Sequence, residues 1–248
     1  LMWDIRKRCP TLSTRETNLA RYLAIGDIHG CSIALRTLCE FVTLRADDTI
    51  ITLGDYCDKG PDTFGAISYL MHLAENFNLQ PLRGNHDLMM LNARNNRAGR
   101  NAWLDAGGNK SLRSYAPFDG DGVTIADVPD CHWEFLEQKL LPFVEIETHF
   151  FVHGSVIPDL PLQEQPDFML YWEKYNDPPP HESGKTMVCG HTSQKSGLPK
   201  SNSHSICIDT WAHGGGWLSC LDVTSGQLWQ ANQQGETREM LLDEVIVR

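Results

Sequence analysis

A chain of 248 residues that is 41% hydrophobic can bury a substantial core, and α/β chains of this length commonly form one domain. Its formal net charge of -11 supplies no surface field that would gather nucleic acid or anionic lipid, so neither is expected as a partner. Affinity for an anionic ligand must then be local, from metal ions or a few placed cations.

The opening segment LMWDIRKRCPTL carries basic residues without the apolar centre of a signal sequence. No later stretch offers the ~18 apolar residues of a membrane span, and a soluble, cytoplasmic chain is expected. Residues 1–18 are mixed and polar and read as an N-terminal arm, leaving 19–248 as a single domain. The eight cysteines show no CxxC pair, and Cys31, Cys39, Cys57, Cys189, Cys207 and Cys220 read as reduced core thiols.

A strand is predicted from Arg21 to Ile25. An order then repeats: apolar run, glycine, acidic or histidine cluster, and a segment with apolar residues three and four apart. Helices are predicted over 32–43, with Ser32 as N-cap, and over 62–77, with Pro61 in the first turn. This alternation predicts an α/β fold with a largely parallel first sheet. Residues 88–141 read as helical or irregular, with a turn-rich patch at 117–122, placed to cover one side of a site. Strands follow over 143–146, 149–152, 186–189, 205–208, 217–223 and 228–231, the last two joined by TSGQ as a hairpin. The prolines at 178–180 read as a connector.

Five polar clusters follow strand-like runs: YLAI-GDIHG, IITL-GDYCDKG, LQPLR-GNHD, HFFV-HG and TMVC-GH. All fall at carboxyl ends, the edge at which open α/β sheets bind ligands. Gly26, Gly54, Gly84 and Gly190 would let the chain turn sharply there. The converging side chains are Asp27, His29, Asp55, Asn85, His153 and His191. Carboxylate, imidazole and amide without thiolate suit manganese, iron or zinc in a catalytic rather than a structural site. Six ligands exceed one tetrahedral ion, whereas two divalent ions sharing Asp55 would use them all and leave a position for water. Such a pair lowers the pKa of bound water from 15.7 towards ~7 and clamps an in-line displacement at phosphorus. His86, beside Asn85, is placed to protonate the leaving oxygen, with Asp58 to orient it and keep it cationic.

The order GDIHG, GDYCDKG, GNHD, HG, GH resembles the metallophosphoesterase superfamily, specifically its bacterial phosphoprotein phosphatase branch. The likeness extends through Trp103 and the GG after it to IDTWAHGGGWLSCLDV. It implies a four-layer α/β/β/α sandwich, two central mixed sheets flanked by helices. It also implies Asp27, His29 and Asp55 at a first metal, and Asp55, Asn85, His153 and His191 at a second. Lys59 stands where this family has the phosphate-binding arginine of DRG, and Lys174 of YWEKY falls at its second arginine. Both are substrate-binding candidates, with Asn85. A lysine offers a point charge where arginine offers a two-pronged donor. GNHD is shared with diadenosine tetraphosphatases, and Trp211 replaces a usual glycine.

The reading is a two-metal hydrolase of phosphoprotein and aryl phosphate monoesters, manganese being the expected ion. Hydrolysis of a dinucleoside polyphosphate is the alternative, and a metal-binding module without catalysis the third. Arg94, Arg97 and Arg100 read as a solvated helix face, His213 as a turn residue and Cys57 as core filler.

Overall fold

The computed structural model describes residues 20–116 and 122–245. The arm expected over 1–18 and most of the turn-rich patch over 117–122 lie outside the described residues. The chain opens with two strand–helix units and a third strand: β1 (Tyr22–Ile25), α1 (Ser32–Val42), β2 (Thr49–Thr52), α2 (Thr63–Asn76) and β3 (Asn78–Pro81). Helices α3 (Asn85–Asn95), α4 (Arg97–Trp103), α5 (Asn109–Ser114) and α6 (Asp130–Gln138) follow, with a π turn at Leu104–Gly108. Then come β4 (Val144–Glu145), β5 (His149–Val152), α7 (Asp167–Trp172), β6 (Thr186–Cys189), β7 (Lys200–Asn202) and β8 (Ser205–Cys207). Strands β9 (Leu218–Asp222), β10 (Gln227–Ala231) and β11 (Thr237–Leu241) lead into α8 (Leu242–Val245).

Two mixed sheets result, in the orders β11-β10-β9-β1-β2-β3 and β4-β5-β6-β8-β7. The first is less parallel than the alternation predicts. Strands β1, β2 and β3 pair in parallel, but β9 adds antiparallel to β1, and β10 and β11 continue antiparallel beyond it. The physical reason is the tight turn after Asp222, where the Gly226 N–H returns to the Asp222 carbonyl at 2.9 Å. Only antiparallel neighbours can be joined so briefly.

Period-two alternation in the strands builds the layers. Ala24, Ile51, Phe151 and Val188 point between the sheets, with Leu53, Ile208, Leu221 and Leu228. Their neighbours Leu23, Ile25 and Ile50 point outward to α1 and α2, onto Leu35, Leu38, Ile67 and Leu70. Phe150, Val152, Met187 and Cys189 point to the other outside, against Leu170 and Tyr171 of α7. Both faces of each sheet are thus covered, which is why the strands read as unbroken apolar runs.

The helix starts differ from expectation by one residue. Ser32 is the first helical residue of α1 rather than its cap, and its hydroxyl donates to Asp62 Oδ2 at 2.5 Å. Asp62 caps α2 by accepting from the Gly65 N–H at 2.8 Å, so Pro61 lies before the cap. One carboxylate therefore ties the two crossover helices together at the end where the polar clusters emerge. Among the described residues seven cysteines are unpaired and all but Cys131 are buried. No helix there is long and apolar enough to cross a membrane.

Candidate active site

The five clusters leave β1, β2, β3, β5 and β6 at one edge, as their positions after apolar runs implied. The turns are made differently from expectation. Of the four glycines, only Gly54 has a positive φ, 99°. At Gly84 an added Cβ would run into the Asp55 carboxylate, and at Gly190 into that of Asp27. These two are glycines because a carboxylate lies against the backbone. The left-handed conformations fall instead on His29, Asp55, Asp58, Lys59, His191 and Trp211, with φ between 45° and 69°. Among the described residues, five of the eight non-glycine residues at positive φ thus lie in the motifs, where such strain costs about 1 kcal/mol or more each.

Backbone carbonyls fix the tautomers of three histidines. His29 Nδ1–H donates to the Cys57 carbonyl at 2.8 Å, His153 Nδ1–H to that of Leu53 at 2.8 Å, and His191 Nε2–H to that of Trp172 at 3.1 Å. Each opposite nitrogen is therefore a lone pair turned inward. What these nitrogens face are oxygens, with Lys59 Nζ also 3.0 Å from His29 Nε2. His29 Nε2 lies 3.3 Å from Asp55 Oδ2 and His153 Nε2 3.5 Å from Asp55 Oδ1. Asn85 Oδ1 is 3.0 Å from both His153 Nε2 and His191 Nδ1. Acceptors turned on acceptors repel unless a cation is shared among them, so the donor set fits divalent ions. Two groups bring their donor atoms within 4.8 Å of one another, His29–Asp55–His86 and Asp55–His153–His191. Asp55 belongs to both, presenting one oxygen to each side. Its Oδ1 also accepts the His86 N–H at 2.9 Å, at the start of α3. Asp27 is in neither group; both its oxygens take the His191 N–H, at 3.1 and 3.0 Å.

Charge is distributed unevenly among these buried groups. Burial, with the charges of Asp209 and Asp55, pushes Asp27 well above the usual carboxylate range. For Asp55, burial is outweighed by His153, His29 and His86, which hold it below that range. Burial lowers His29 well below the ordinary imidazole value and lowers His191 to about 4. His86 goes the other way. Burial opposes its charge, but the Asp58 hydrogen bond and the Asp55 charge raise its pKa. The rings of His29 and His86 are 4.9 Å apart, edge to face, and their environments push their pKa values in opposite directions.

The His86 support is fully assembled. His86 Nδ1–H donates to Asp58 Oδ2 at 2.7 Å; Trp103 Nε1–H donates to both Asp58 oxygens at 2.9 and 3.0 Å, and the Ser111 hydroxyl to Oδ1 at 2.7 Å. Trp103 is signalled in the sequence only by its conspicuous GG neighbour; the Gly108 side has no room for a Cβ beside the indole. Ser111 carries no motif and is legible only in three dimensions. Asp87 is a further supporting residue hidden in GNHD. Fully buried, it accepts the N–H groups of Asp55, Tyr56 and Gly84 at 2.9, 3.0 and 2.9 Å. Burial and the Asp55 charge push it up to about 7 against those bonds.

The remaining candidates sort clearly. Lys59 reaches inward, its Nζ 3.0 Å from His29 Nε2. Lys174 is exposed, two residues beyond Trp172, with no hydrogen bond or ion pair to the described residues. Arg94 pairs with Glu137 at 2.6 Å and lies over Trp133, and Arg100 bonds the carbonyls of Ala93 and Arg94, so that run faces away as a helix surface. His213 is more than a turn residue, because its ring meets that of His29 at 4.8 Å. Cys57 is buried core, as expected.

With this geometry in place, comparison with known proteins is decisive about kinship. The model of the calcineurin-like phosphoesterase family matches residues 20–214. The chain belongs to that family. It is 36% identical over 210 residues to serine/threonine-protein phosphatase 1 of Salmonella typhimurium, across 80% of this chain and 90% of that one. It is 29% identical over 140 residues to the symmetrical bis(5'-nucleosyl)-tetraphosphatase of Ralstonia nicotianae, over 54% of this chain but 42% of that protein's length. Among solved structures it is similar to a candidate diadenosine tetraphosphatase, with a TM-score of 0.62, 21% identity, and 91% and 95% of the two chains covered. The last likeness speaks for the fold alone. The family assignment makes this a phosphoesterase-type hydrolase of a family that uses divalent metals.

The Asp58–His86 contact yields a direct expectation. Asp58→Asn removes the anion that favours imidazolium, and asparagine tolerates the left-handed backbone at this position. The His86 pKa, followed by NMR of its ring protons, should fall; an unchanged titration would show that Asp58 does not tune it.

Proposed function

We propose that this phosphoesterase hydrolyses phosphate monoesters on proteins and aryl groups. The observation that carries the reading is the supported proton donor: a buried His86 held by Asp58, which Trp103 and Ser111 bond in turn, in one of two groups that share Asp55. In this reading Asp27, His29 and Asp55 hold one divalent ion and Asp55, Asn85, His153 and His191 the other. Bound ions of this kind polarise a phosphoryl oxygen and make water nucleophilic at neutral pH. The protein's own residues do the rest. Asn85 and Lys59 hold non-bridging phosphate oxygens, the Lys59 ammonium supplying local positive charge in a chain of net charge -11. His86 gives its Nε2 proton to the leaving oxygen, while Asp58 stabilises the imidazolium before transfer. Lys174 is the outer cation for the same phosphate. Manganese is the ion we expect, in a cytoplasmic enzyme.

The dinucleoside polyphosphate reading draws support from the tetraphosphatase relatives, although this chain spans 42% of the length of the one from Ralstonia nicotianae. The GNHD motif adds little to it, since Asp87 binds the backbone of the Asp55 turn and is fully buried. The likeness to serine/threonine-protein phosphatase 1, which spans 90% of that relative, favours the monoesterase. A module without catalysis would have no use for the Asp58–His86 pair.

Dialysis against chelator should abolish hydrolysis, and manganese should restore release of inorganic phosphate from phosphopeptides. Nucleoside diphosphate from diadenosine tetraphosphate, with intact phosphopeptides, would overturn the monoesterase reading. Loss of the acid has its own signature, because nitrophenolate leaves unprotonated and a serine alkoxide does not. His86→Asn should slow phosphoserine hydrolysis by roughly 10² to 10⁴ and nitrophenyl phosphate far less; equal losses on both would assign His86 to positioning.

A further inference from the structure

Trp211 is a bulky side chain in a place built for glycine. Its φ and ψ are 65° and 41°, a left-handed conformation that is an outlier for a residue of this size. The turn is nonetheless made around it. The Trp211 N–H donates to Asp209 Oδ1 at 3.0 Å, and its carbonyl accepts the N–H groups of Gly214 and Gly216, both at 3.0 Å. Gly214 has no room for a Cβ, because the indole lies against it. From another side Lys195 Nζ stands 5.7 Å from the indole centroid, within reach of a cation–π contact. The loop bearing Lys195 is fixed at Gly197, whose carbonyl accepts from Gln230 Nε2 at 3.1 Å and Arg238 Nη2 at 2.7 Å.

The indole continues a row of rings that starts at the proton donor. His86 and His29 are 4.9 Å apart, His29 and His213 4.8 Å, and His213 and Trp211 6.4 Å, each pair edge to face. Trp211 and His213 are half-buried. An ester oxygen placed to take a proton from His86 has this wall beside it. An alkyl leaving group gains little from π faces, whereas a planar ring can stack or meet them edge-on. The wall also starts one ring contact from His29, which suits a ring bonded directly to the ester oxygen. A nucleobase stands further off, beyond its ribose.

Building on the monoesterase reading, we propose that Trp211 and His213 form an aromatic subsite that selects aryl phosphates, such as the phosphotyrosine side chain, over alkyl phosphates. Trp211 sets this preference through its indole.

Binding separates this proposal from the catalytic reading. Phenylphosphonate and methylphosphonate, which are not hydrolysed, would be titrated calorimetrically into manganese-loaded wild type, Trp211→Gly and Trp211→Leu. Glycine relieves the backbone strain, and leucine keeps apolar bulk without a π face. The preference for phenyl over methyl should fall roughly 3- to 10-fold in both variants, as expected for one aromatic contact. With phosphotyrosine and phosphothreonine peptides of one sequence, the loss should appear in KM rather than kcat. A phenyl preference retained by either variant overturns the subsite. A preference that falls as expected, in a wild type that hydrolyses no monoester, upholds the subsite and refutes the monoesterase instead.

Discussion

Everything at the functional edge is arranged around carboxylates that water does not reach. Asp27, Asp55 and Asp209 are each no more than 2% exposed, and they follow β1, β2 and β8 at the same edge. Unpaired charge in such a place is costly enough to change protonation or to demand a counter-charge. Among the described residues the counter-charges at hand are few: Lys59, and His86 with its raised pKa. The three histidines facing Asp55 and Asn85 each turn one ring nitrogen to those oxygens, because backbone carbonyls hold the other. A pair of divalent cations is the chemical complement of that arrangement, and the absence of thiolate from the set favours ions that retain open positions.

Preorganisation explains why so much strain is tolerated there. The left-handed residues His29, Asp55 and His191 each come directly or soon after a strand, turning a side chain back over the edge before the following segment leads away. Such conformations persist only where neighbours over-determine them. Asp87 does this for the Asp55 turn with three backbone bonds, and Asp27 does it for His191. The energy comes from the layered core, in which the central strands bury side chains on both faces. The same rigidity bears on chemistry, since groups held in place need no reorganisation as charge develops.

Much of this was legible in the sequence because each motif joins two signals, an apolar run that fixes a strand and a polar cluster at its end. Strand order was harder to read. β7 (KSN) is short and polar, and β11 (TREML) lies at a sheet edge with alternating exposure, so neither carries the hydrophobic period that marks a strand. The glycines misled by their type: glycine suggests a turn, yet Gly84 and Gly190 exist to admit a carboxylate. Ser111 and Asp87 were invisible as site residues, because their roles are hydrogen bonds to groups distant in sequence. The arginine run was correctly read as surface, whereas His213 was undervalued because its partner ring, that of His29, is 184 positions away.

The central claim is that one carboxylate, Asp55, is shared by two cations. It is tested most directly by the structure of the manganese-soaked protein, with anomalous scattering to count and locate the ions. Two manganese peaks per chain are expected about 3.5 to 4 Å apart, with the Asp55 carboxylate between them, and loss of at least one peak in Asp55→Asn. A single ion, or two ions that both remain in Asp55→Asn, would contradict it.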